Sequence, residues 1–302
     1  MADIRNFFIN KENEGLRADK YLSEVIEEFS REKLKKLFLE GTVKINGETA
    51  KASQRIRADD RLSVILPAVS YLEVKAENIP LNIVYEDSDI VVVDKLQGMC
   101  VHPAPGNYEG TLVSALLYHI KDLSTINGTV RPGIVHRIDM YTSGLLAAAK
   151  NNDAHVFLAQ QFAERSILRA YYALVHGVLK STKGIIDAPV GRNPHDRKSF
   201  AVNERNGRNA VTHFELIKQY EDYALVRLKL ETGRTHQIRV HMAYIGHPVI
   251  GDRIYGKKSR TDERFEGQLL HAYLLGFIHP STKESMIFES SLPEYFLSMT
   301  EK

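Results

Sequence analysis

A single cysteine stands among the 302 residues of the chain. Cys100 therefore has no partner for an internal disulfide, and no group of thiolates is available to hold a metal ion. No apolar segment approaches the roughly 18 residues that a membrane-spanning helix requires. The amino-terminal stretch MADIRNFFINKENEG also lacks the apolar core of a signal peptide. These absences predict a cytoplasmic protein that does not associate with membranes.

Charge of one sign is not in large excess. The sequence has 40 Lys and Arg residues against 38 Asp and Glu residues, which gives a net charge of +2. The whole molecule is therefore not a strongly basic nucleic-acid binder, and any RNA or DNA contact must come from local clusters of charge. Hydrophobic residues make up 43% of the chain and charged residues 26%, as is ordinary for a soluble globular protein.

Motifs that identify several common enzyme classes are missing. The chain has no Gly-x-Ser-x-Gly elbow, no Gly-x-x-x-x-Gly-Lys phosphate loop and no Gly-x-Gly-x-x-Gly dinucleotide turn. We therefore expect no nucleotide cofactor. His236 and His241 lie five positions apart rather than the four of a zinc-binding helix, and no glutamate occupies the required place. A metal site is not expected either.

The first part of the chain has the pattern of a small mixed module. Leu22, Val25, Ile26 and Phe29 follow helical spacing and predict one apolar stripe, and a second helix is predicted to end at Gly41. The dipeptide Asn46-Gly47 between two extended segments predicts a β-hairpin. A polar linker is predicted to follow.

The second part is richer in strands than in helices, and many of the strands are spaced as hairpins. This pattern predicts an α+β domain with a large mixed, mainly antiparallel sheet. Residues 184–213, rich in Gly, Asn, Arg and His, are predicted to be loops. The linker at about 69–80 places the predicted domains at 1–75 (core about 15–68) and 76–302.

Basic residues cluster where the second helix of the first part begins. Such a run is usually a solvated helix face, but the start of a helix also favours phosphate. The order of a helix, Ser-Arg at a helix start, Glu-Gly, Val-Lys-Ile-Asn-Gly and a basic strand resembles the RNA-binding module of ribosomal protein S four. This resemblance covers about residues 15–68. It implies that Arg31, Lys35 and the neighbouring Lys36 contact an RNA backbone, which positions a protein without reading sequence.

The stretch HRIDMYTSGLLAAAK places Asp139 just ahead of an apolar run, 145–149, with the length of a buried strand. Arg137 lies two positions before the acid, and a turn, Thr142-Ser143-Gly144, follows it. A lone aspartate in such a place is usually part of a turn or a capped loop end. Its position alone leaves both a structural and a catalytic role open.

Two further motifs contain residues that could act with this acid. Tyr171, in RAYYALVHG, lies near a strand start, where an aromatic ring is usually core but can also stack on an RNA base. Arg234 and Arg239 lie close together in TGRTHQIRVH. A buried arginine beside an aspartate favours the charged carboxylate, which is the form that a nucleophile requires. The basic loop 191–198 is either solvated or in contact with phosphate.

The three motifs, in this order, resemble the RluA/RluD family of RNA pseudouridine synthases over about residues 80–290. The resemblance implies the pseudouridine synthase fold and the isomerisation of uridine to pseudouridine within RNA, with no cofactor and no metal. Asp139 is implied to attack the flipped-out nucleotide, at the anomeric carbon or by initiating elimination there. Flipping is needed because the glycosidic bond is out of reach in a stacked helix.

The resemblance also assigns roles to three neighbours of this acid. Arg137 is implied to fill the gap that the flipped uridine leaves. Tyr171 is implied to stack on the extruded base and is a candidate to take the proton from ring carbon five. Arg239 is implied to pair with Asp139, with Arg234 as the alternative. The sequence departs from the family at Tyr141, where an aspartate is often found.

The RNA target is less well defined than the chemistry. The loop GMCVHPAPGNYEGTL and the overall length are most similar to the branch that acts on large-subunit (23S) ribosomal RNA, and a transfer-RNA target is the alternative. A non-catalytic RNA-binding or ribosome assembly factor is a further alternative, but it predicts a damaged site, whereas Asp139, Tyr171 and Arg239 are all present. We expect a monomer whose partner is RNA.

Overall fold

The computed structural model of the chain describes residues 3–26, 31–66, 74–104, 106–126, 131–196, 199–256, 259 and 262–300. The chain divides into two compact units, Met1–Tyr71 and Leu72–Lys302. We call them the amino-terminal unit and the carboxy-terminal unit.

The amino-terminal unit combines two helices with a four-stranded sheet. Its elements in chain order are β1 (Asp3–Phe8), α1 (Ala18–Val25), α2 (Arg31–Leu39), β2 (Val43–Ile45), β3 (Glu48–Thr49) and β4 (Arg61–Leu66). The strand order is β1-β4-β2-β3, and each neighbouring pair is antiparallel. Asn46 and Gly47 have φ angles of 53° and 89°. They form the tight hairpin turn between β2 and β3 that the Asn-Gly dipeptide predicts.

The core of this unit lies between the sheet and the two helices. Leu62, Val64 and Leu66 alternate along β4 and are buried, as the two-residue repeat of a strand requires. The predicted apolar stripe of α1 is wrong at Val25, whose side chain is 38% exposed. The reason is that α1 ends at Val25, and the chain then turns so that Ile26 is buried instead. Phe29, the last predicted member of the stripe, lies outside the described residues.

The carboxy-terminal unit is built on a nine-stranded sheet. The described strands of this unit, nine in the large sheet and two in a separate hairpin, are β5 (Asn82–Glu86), β6 (Ile90–Lys95), β7 (Ser143–Ala149), β8 (Leu168–His176), β9 (Lys183–Asp187), β10 (Val190–Arg192), β11 (Phe200–Val202), β12 (Val211–Gln219), β13 (Tyr223–Leu230), β14 (Leu270–Ile278) and β15 (Ser285–Glu289). The large sheet has the order β5-β6-β7-β14-β8-β13-β12-β9, β15 pairs with β14, and β10 pairs with β11 as a separate hairpin. Among its described strands only β7 and β14 run parallel. The predicted α+β class with a mainly antiparallel sheet is confirmed.

Helices cover the two faces of the central strands. They are α3 (Leu112–His119), α4 (Asn152–Glu164), α5 (Gln237–Tyr244) and α6 (Glu294–Thr300). Leu146 and Ala148 of β7 pack in one cluster with residues of α3 and α5. Leu145 and Ala147 pack in a second cluster with residues of α4. Because β7 is buried on both faces, its sequence is a continuous apolar run rather than an alternating one. In the described part of the chain, no helix is both long and apolar enough to cross a membrane.

The loops predicted in residues 184–213 are interrupted by strands that the sequence did not indicate. β9 pairs with β12 at the edge of the large sheet, and β10 and β11 form their own hairpin. These strands are only three to five residues long, so they show little periodicity. At Gly184 in β9, an added Cβ would lie 2.4 Å from the ring of Phe214. The glycine that resembles a loop signal is therefore required for close packing of a strand.

Gly144 lies in β7, opposite Ala272 of the parallel neighbour β14. Its φ angle is +111°, and an added Cβ would lie 2.3 Å from the carbonyl oxygen of Ala272. We expect Gly144→Ala to lower the free energy of unfolding by about 3 kcal/mol or more, because it combines a left-handed backbone with a backbone clash. Urea denaturation measures this change.

The control is Gly246→Ala, after α5. Gly246 has a φ angle of +86° but no atom within 4 Å of an added Cβ, so only the conformational cost of about 1–2 kcal/mol applies. Equal losses for the two variants would show that the close approach of β7 and β14 is unimportant.

Candidate active site

Asp139 lies in the turn that leads into β7. The N–H of Thr142 donates to the carbonyl oxygen of Asp139 at 3.0 Å, and the carboxyl side chain is 20% exposed. The acid is thus fixed at its backbone but open to solvent at its functional end.

Lys95, at the end of β6, forms hydrogen bonds to the backbone around this turn. Its ammonium group donates to the carbonyl oxygens of Leu96, Met99 and Met140 at 2.8, 2.9 and 3.1 Å. Burial lowers the pKa of Lys95 to about 7, although the negative charge of Asp139 acts in the opposite direction. Lys95 is not among the residues predicted for the site. The signal in the sequence was a lysine two positions after the apolar run 90–93.

Arg239, in the first turn of α5, connects Asp139 to a second carboxylate. Its Nη1 donates to Oδ2 of Asp139 at 2.9 Å. Its Nε and Nη2 donate to the two carboxylate oxygens of Asp252 at 2.7 and 2.9 Å. This bidentate pairing fixes the plane of the guanidinium group and aims the remaining N–H at Asp139. The Asp252 side chain is fully buried, and that of Arg239 is 6% exposed.

The protonation of Arg239 follows from this arrangement. Burial acts to lower its pKa, but the hydrogen bonds and charge of Asp252, together with those of Asp139, raise it above the usual arginine value. The cation is therefore permanent. Asp252 also accepts the N–H groups of Ile254 and Tyr255 at 2.9 and 3.1 Å, so its own position is fixed by the backbone. Asp252 is not among the residues predicted for the site, because it lies outside the three motifs.

His236 faces the other oxygen of Asp139. Oη of Tyr255 accepts the N–H of Phe200 at 2.8 Å and lies 2.8 Å from Nδ1 of His236. Tyr255 can therefore donate its own proton to Nδ1, which places the histidine proton on Nε2. Nε2 lies 3.9 Å from Oδ1 of Asp139, too long for a hydrogen bond. Burial lowers the pKa of His236, which favours the neutral ring.

A cavity of about 410 Å³ opens beside Asp139 and brings together Tyr171, Arg137 and Arg239. Tyr171 lies on β8 and is buried. Burial raises the pKa of its phenol, although the positive charge of Arg169 acts in the opposite direction; the negative charge of Asp139 adds to the rise. Arg137 is exposed, and its Nη1 lies 3.0 Å from Nε2 of His102. Among the described residues that line the cavity, Asp139 is the only carboxylic acid, which argues against two-carboxylate glycoside hydrolysis.

Other predicted residues lie elsewhere. Arg234 lines the cavity, but its Nε donates to the carbonyl oxygen of Asn209 at 3.0 Å. It is Arg239, not Arg234, that contacts Asp139. In the amino-terminal unit, Lys35 and Lys36 are exposed on α2, and Lys36 lies 3.5 Å from Glu40. The Arg31 side chain lies outside the described residues, as do 197–198 of the basic loop.

The unusual Tyr141 has a packing role. An added Cβ at Gly267 would lie 2.3 Å from Cβ of Tyr141, so the tyrosine packs directly on the backbone there. Arg253 lies over its ring at 5.8 Å. The tyrosine side chain therefore packs against the backbone at Gly267 and against the Arg253 guanidinium group.

Comparison with known proteins places this geometry in a family. The RNA pseudouridylate synthase family model matches residues 89–244. An uncharacterized RNA pseudouridine synthase of Bacillus subtilis (strain 168) is 48% identical over 292 residues, which cover 97% of this chain and 95% of that protein. The ribosomal large subunit pseudouridine synthase D of Zymomonas mobilis is 43% identical, over 95% of this chain and 93% of that protein.

Solved structures agree with the sequence comparisons. Human RNA pseudouridylate synthase domain containing 1 superposes with a TM-score of 0.61 at 27% identity, covering 74% of this chain and 88% of that chain. The chain therefore belongs to the RNA pseudouridylate synthase family. It is an enzyme of the isomerase class that forms pseudouridine in RNA.

The bidentate ion pair between Asp252 and Arg239, which we call the buried fork, predicts the effect of a substitution on stability. We expect Asp252→Asn to lower the free energy of unfolding by about 2–3 kcal/mol, because a buried ion pair loses one partner while the shape is kept. Urea denaturation measures the loss. The matched control is Glu215→Gln in β12, which removes an acid paired with Arg227 of β13 and Lys183 of β9. We expect a much smaller change there, since exposed pairs contribute little. An equal loss in both variants would contradict the role of the buried fork.

Proposed function

We propose that the protein isomerises uridine to pseudouridine in large-subunit ribosomal RNA, with Asp139 as the nucleophile. The observation that carries the proposal is the carboxylate of Asp139, held by Arg239 at the wall of a cavity that Tyr171 also lines. Oδ2 accepts the arginine hydrogen bond, so Oδ1 is left to face a substrate. A charged, oriented carboxylate is the form that attacks carbon.

Two routes begin from this geometry. In the first, Oδ1 of Asp139 bonds to C1′ of the flipped uridine while the C1′–N1 bond breaks, and its electron pair leaves with uracil. In the second, Asp139 takes the C2′ proton and the same bond breaks by elimination. In both routes uracil turns and its C5 bonds to C1′. In the first route this breaks the ester bond to Asp139, and in the second C2′ regains the proton that Asp139 took. C5 then loses its proton and N1 gains one. The product has the same atoms as the substrate, so no oxidant or group donor enters the reaction.

Tyr171 and Arg137 support the flipped nucleotide in this proposal. A tyrosine ring in the cavity wall can stack on uracil, since bases stack on aromatic side chains in single-stranded RNA sites. Burial raises the pKa of Tyr171, so it stays a phenol, which is a weak base. This favours stacking over removal of the C5 proton. Arg137 is exposed and long enough to occupy the gap in the RNA stack.

The ribosomal target is supported by the relatives. Several proteins about 40% identical over more than nine-tenths of the chain are named ribosomal large subunit pseudouridine synthase D, including those of Haemophilus influenzae and Pseudomonas aeruginosa. A transfer-RNA target is the alternative. The non-catalytic assembly factor is disfavoured by the intact contact between Asp139 and Arg239. The proposal places the enzyme in the cytoplasm as a monomer.

The amino-terminal unit supplies a second RNA contact in this proposal. We assign it as a module like that of ribosomal protein S four, on the order of its motifs. Lys35 and Lys36 are exposed on α2, where they can reach phosphate, and Arg31 belongs to the same helix. Lys36 is the weakest of the three, because Glu40 lies beside it.

The first test of the proposal is Asp139→Asn. The amide keeps the shape but has no nucleophilic charge, so we expect pseudouridine formation in 23S ribosomal RNA to fall by at least about 1000-fold. RNA affinity should stay within about threefold, because phosphate contacts dominate it. Base-resolved pseudouridine mapping reports turnover, and filter binding reports affinity. Asp153→Asn, an exposed acid on α4, is the control and should retain full activity. Activity retained in Asp139→Asn would remove this residue from the reaction.

The second test is the double variant Arg31→Glu and Lys35→Glu. We expect weaker RNA binding and a plot of log affinity against log salt whose slope falls by about 1–2, because each lost phosphate contact lowers it by roughly 0.7–0.9. The control is Lys20→Glu on α1, where the lysine is 54% exposed and 3.9 Å from Glu24. A slope equal to that of the unmodified protein would show that RNA does not bind at this end of α2.

A further inference from the structure

Three arginines line the cavity beside Asp139 in addition to Arg137 and Arg239. Arg165 follows the end of α4, Arg169 lies on β8, and Arg234 precedes α5. None of the three has a carboxylate oxygen within 4 Å in the parts of the chain that the structure describes. The one acid of the cavity wall, Asp139, is already bound by Arg239. This wall therefore carries three positive charges that no acid of the cavity neutralises.

The side chain of Arg169 is held in place by packing, and one of its N–H donors is left without an acceptor. Its Nε is buried and has no hydrogen-bond partner among the described atoms. The guanidinium group lies against Gly233, where an added Cβ would be 2.7 Å from Nη1. Its other side lies 5.5 Å from the ring of Phe162, which stacks on His136 at 4.4 Å. A buried donor without an acceptor costs free energy, so its retention points to a ligand that completes the site.

Arg234 and Arg165 are close enough to oppose each other electrostatically. Burial lowers the pKa of Arg234, and the positive charges of Arg165 and Arg208 lower it further. The Nε of Arg234 is used on the backbone of Asn209, which fixes the stem. Like charges that are held together in a partly buried place raise the free energy of the protein until an anion binds.

We propose that Arg165, Arg169 and Arg234 form a subsite for a backbone phosphate of the RNA, next to the uridine whose sugar faces Asp139. This inference rests on the proposed function, since it names the part of the RNA that the same cavity holds. Planar guanidinium groups match the geometry of phosphate oxygens. A neutral uracil ring offers oxygens as acceptors but no negative charge, so it leaves the repulsion among three cations unrelieved.

The salt dependence of RNA binding tests the subsite without turnover. The protein is used in the Asp139→Asn background, so that the RNA is not converted, and the probe is an in vitro transcript of large-subunit ribosomal RNA. Arg165→Gln, Arg169→Gln and Arg234→Gln are compared one at a time. We expect each to lower the slope of log affinity against log salt by about 0.7 and to weaken binding at low salt by about 5-fold or more. Arg165→Lys and Arg234→Lys keep the charge and should restore the slope.

The control variant is Arg227→Gln. Arg227, in β13, carries the same charge, but it pairs with Glu215 of β12 and lines a different cavity. Its slope should match that of the background protein. An equal drop in slope for Arg227→Gln would mean that only net charge matters, and it would overturn the subsite. Thermal melting checks folding, and because Arg165 is exposed, its variants keep the test decisive if Arg169→Gln does not fold.

Two further outcomes are informative. If the Gln and Lys variants both lose affinity at an unchanged slope, the arginines read the base or the sugar, and the phosphate subsite is wrong. If the unaltered enzyme forms no pseudouridine in the same transcript, the ribosomal assignment is wrong, whereas the slopes still show whether the three arginines bind RNA phosphate. The failure of one proposal is thus distinguishable from the failure of the other.

Discussion

The site depends on a buried guanidinium group shared by two carboxylates. Arg239 sits between Asp139, which reaches the cavity, and Asp252, which does not. A buried arginine with one acid partner has two free edges and can rotate. The bidentate bond to Asp252 takes up one edge, so the remaining donor has a single direction. Asp139 is therefore positioned through Asp252, which does not line the cavity, and the cost of burying the cation is offset by two anions.

The turn that carries Asp139 is held by strands on both sides. On the side of β6, Lys95 binds three carbonyl oxygens of the surrounding backbone. On the side of β14, Gly144 lets β7 approach Ala272 so closely that no side chain fits. Tyr141 fills the space against Gly267 between these supports. The acid thus combines a rigid backbone with a solvent-facing side chain, which is how a reactive group is preorganised on a scaffold.

The sequence predicts those parts of the molecule that have a local pattern. The run that becomes β7 and the Asn46-Gly47 hairpin can each be recognised from a few neighbouring residues. The fold class follows from many such local patterns, through the number and spacing of the predicted strands. Asp252 and Lys95 have no such pattern, because their importance comes from contacts with residues far away along the chain. β9 was missed because Gly184 carries a loop signal when read alone. Its purpose appears only when the ring of Phe214 is placed against it.

The charges of the cavity explain how a nearly neutral chain can act on a polyanion. Asp139, Asp252 and Arg239 together carry one net negative charge, which repels a phosphate that approaches Asp139. In the proposed subsite, the three arginines of the neighbouring wall attract that phosphate at short range, while the net charge of the protein stays at +2. Under the two proposals, attraction of the RNA backbone and attack on the sugar fall to different walls of one cavity. In that arrangement Asp139 keeps the charge that the proposed attack requires, and the arginines offset its repulsion of the RNA backbone.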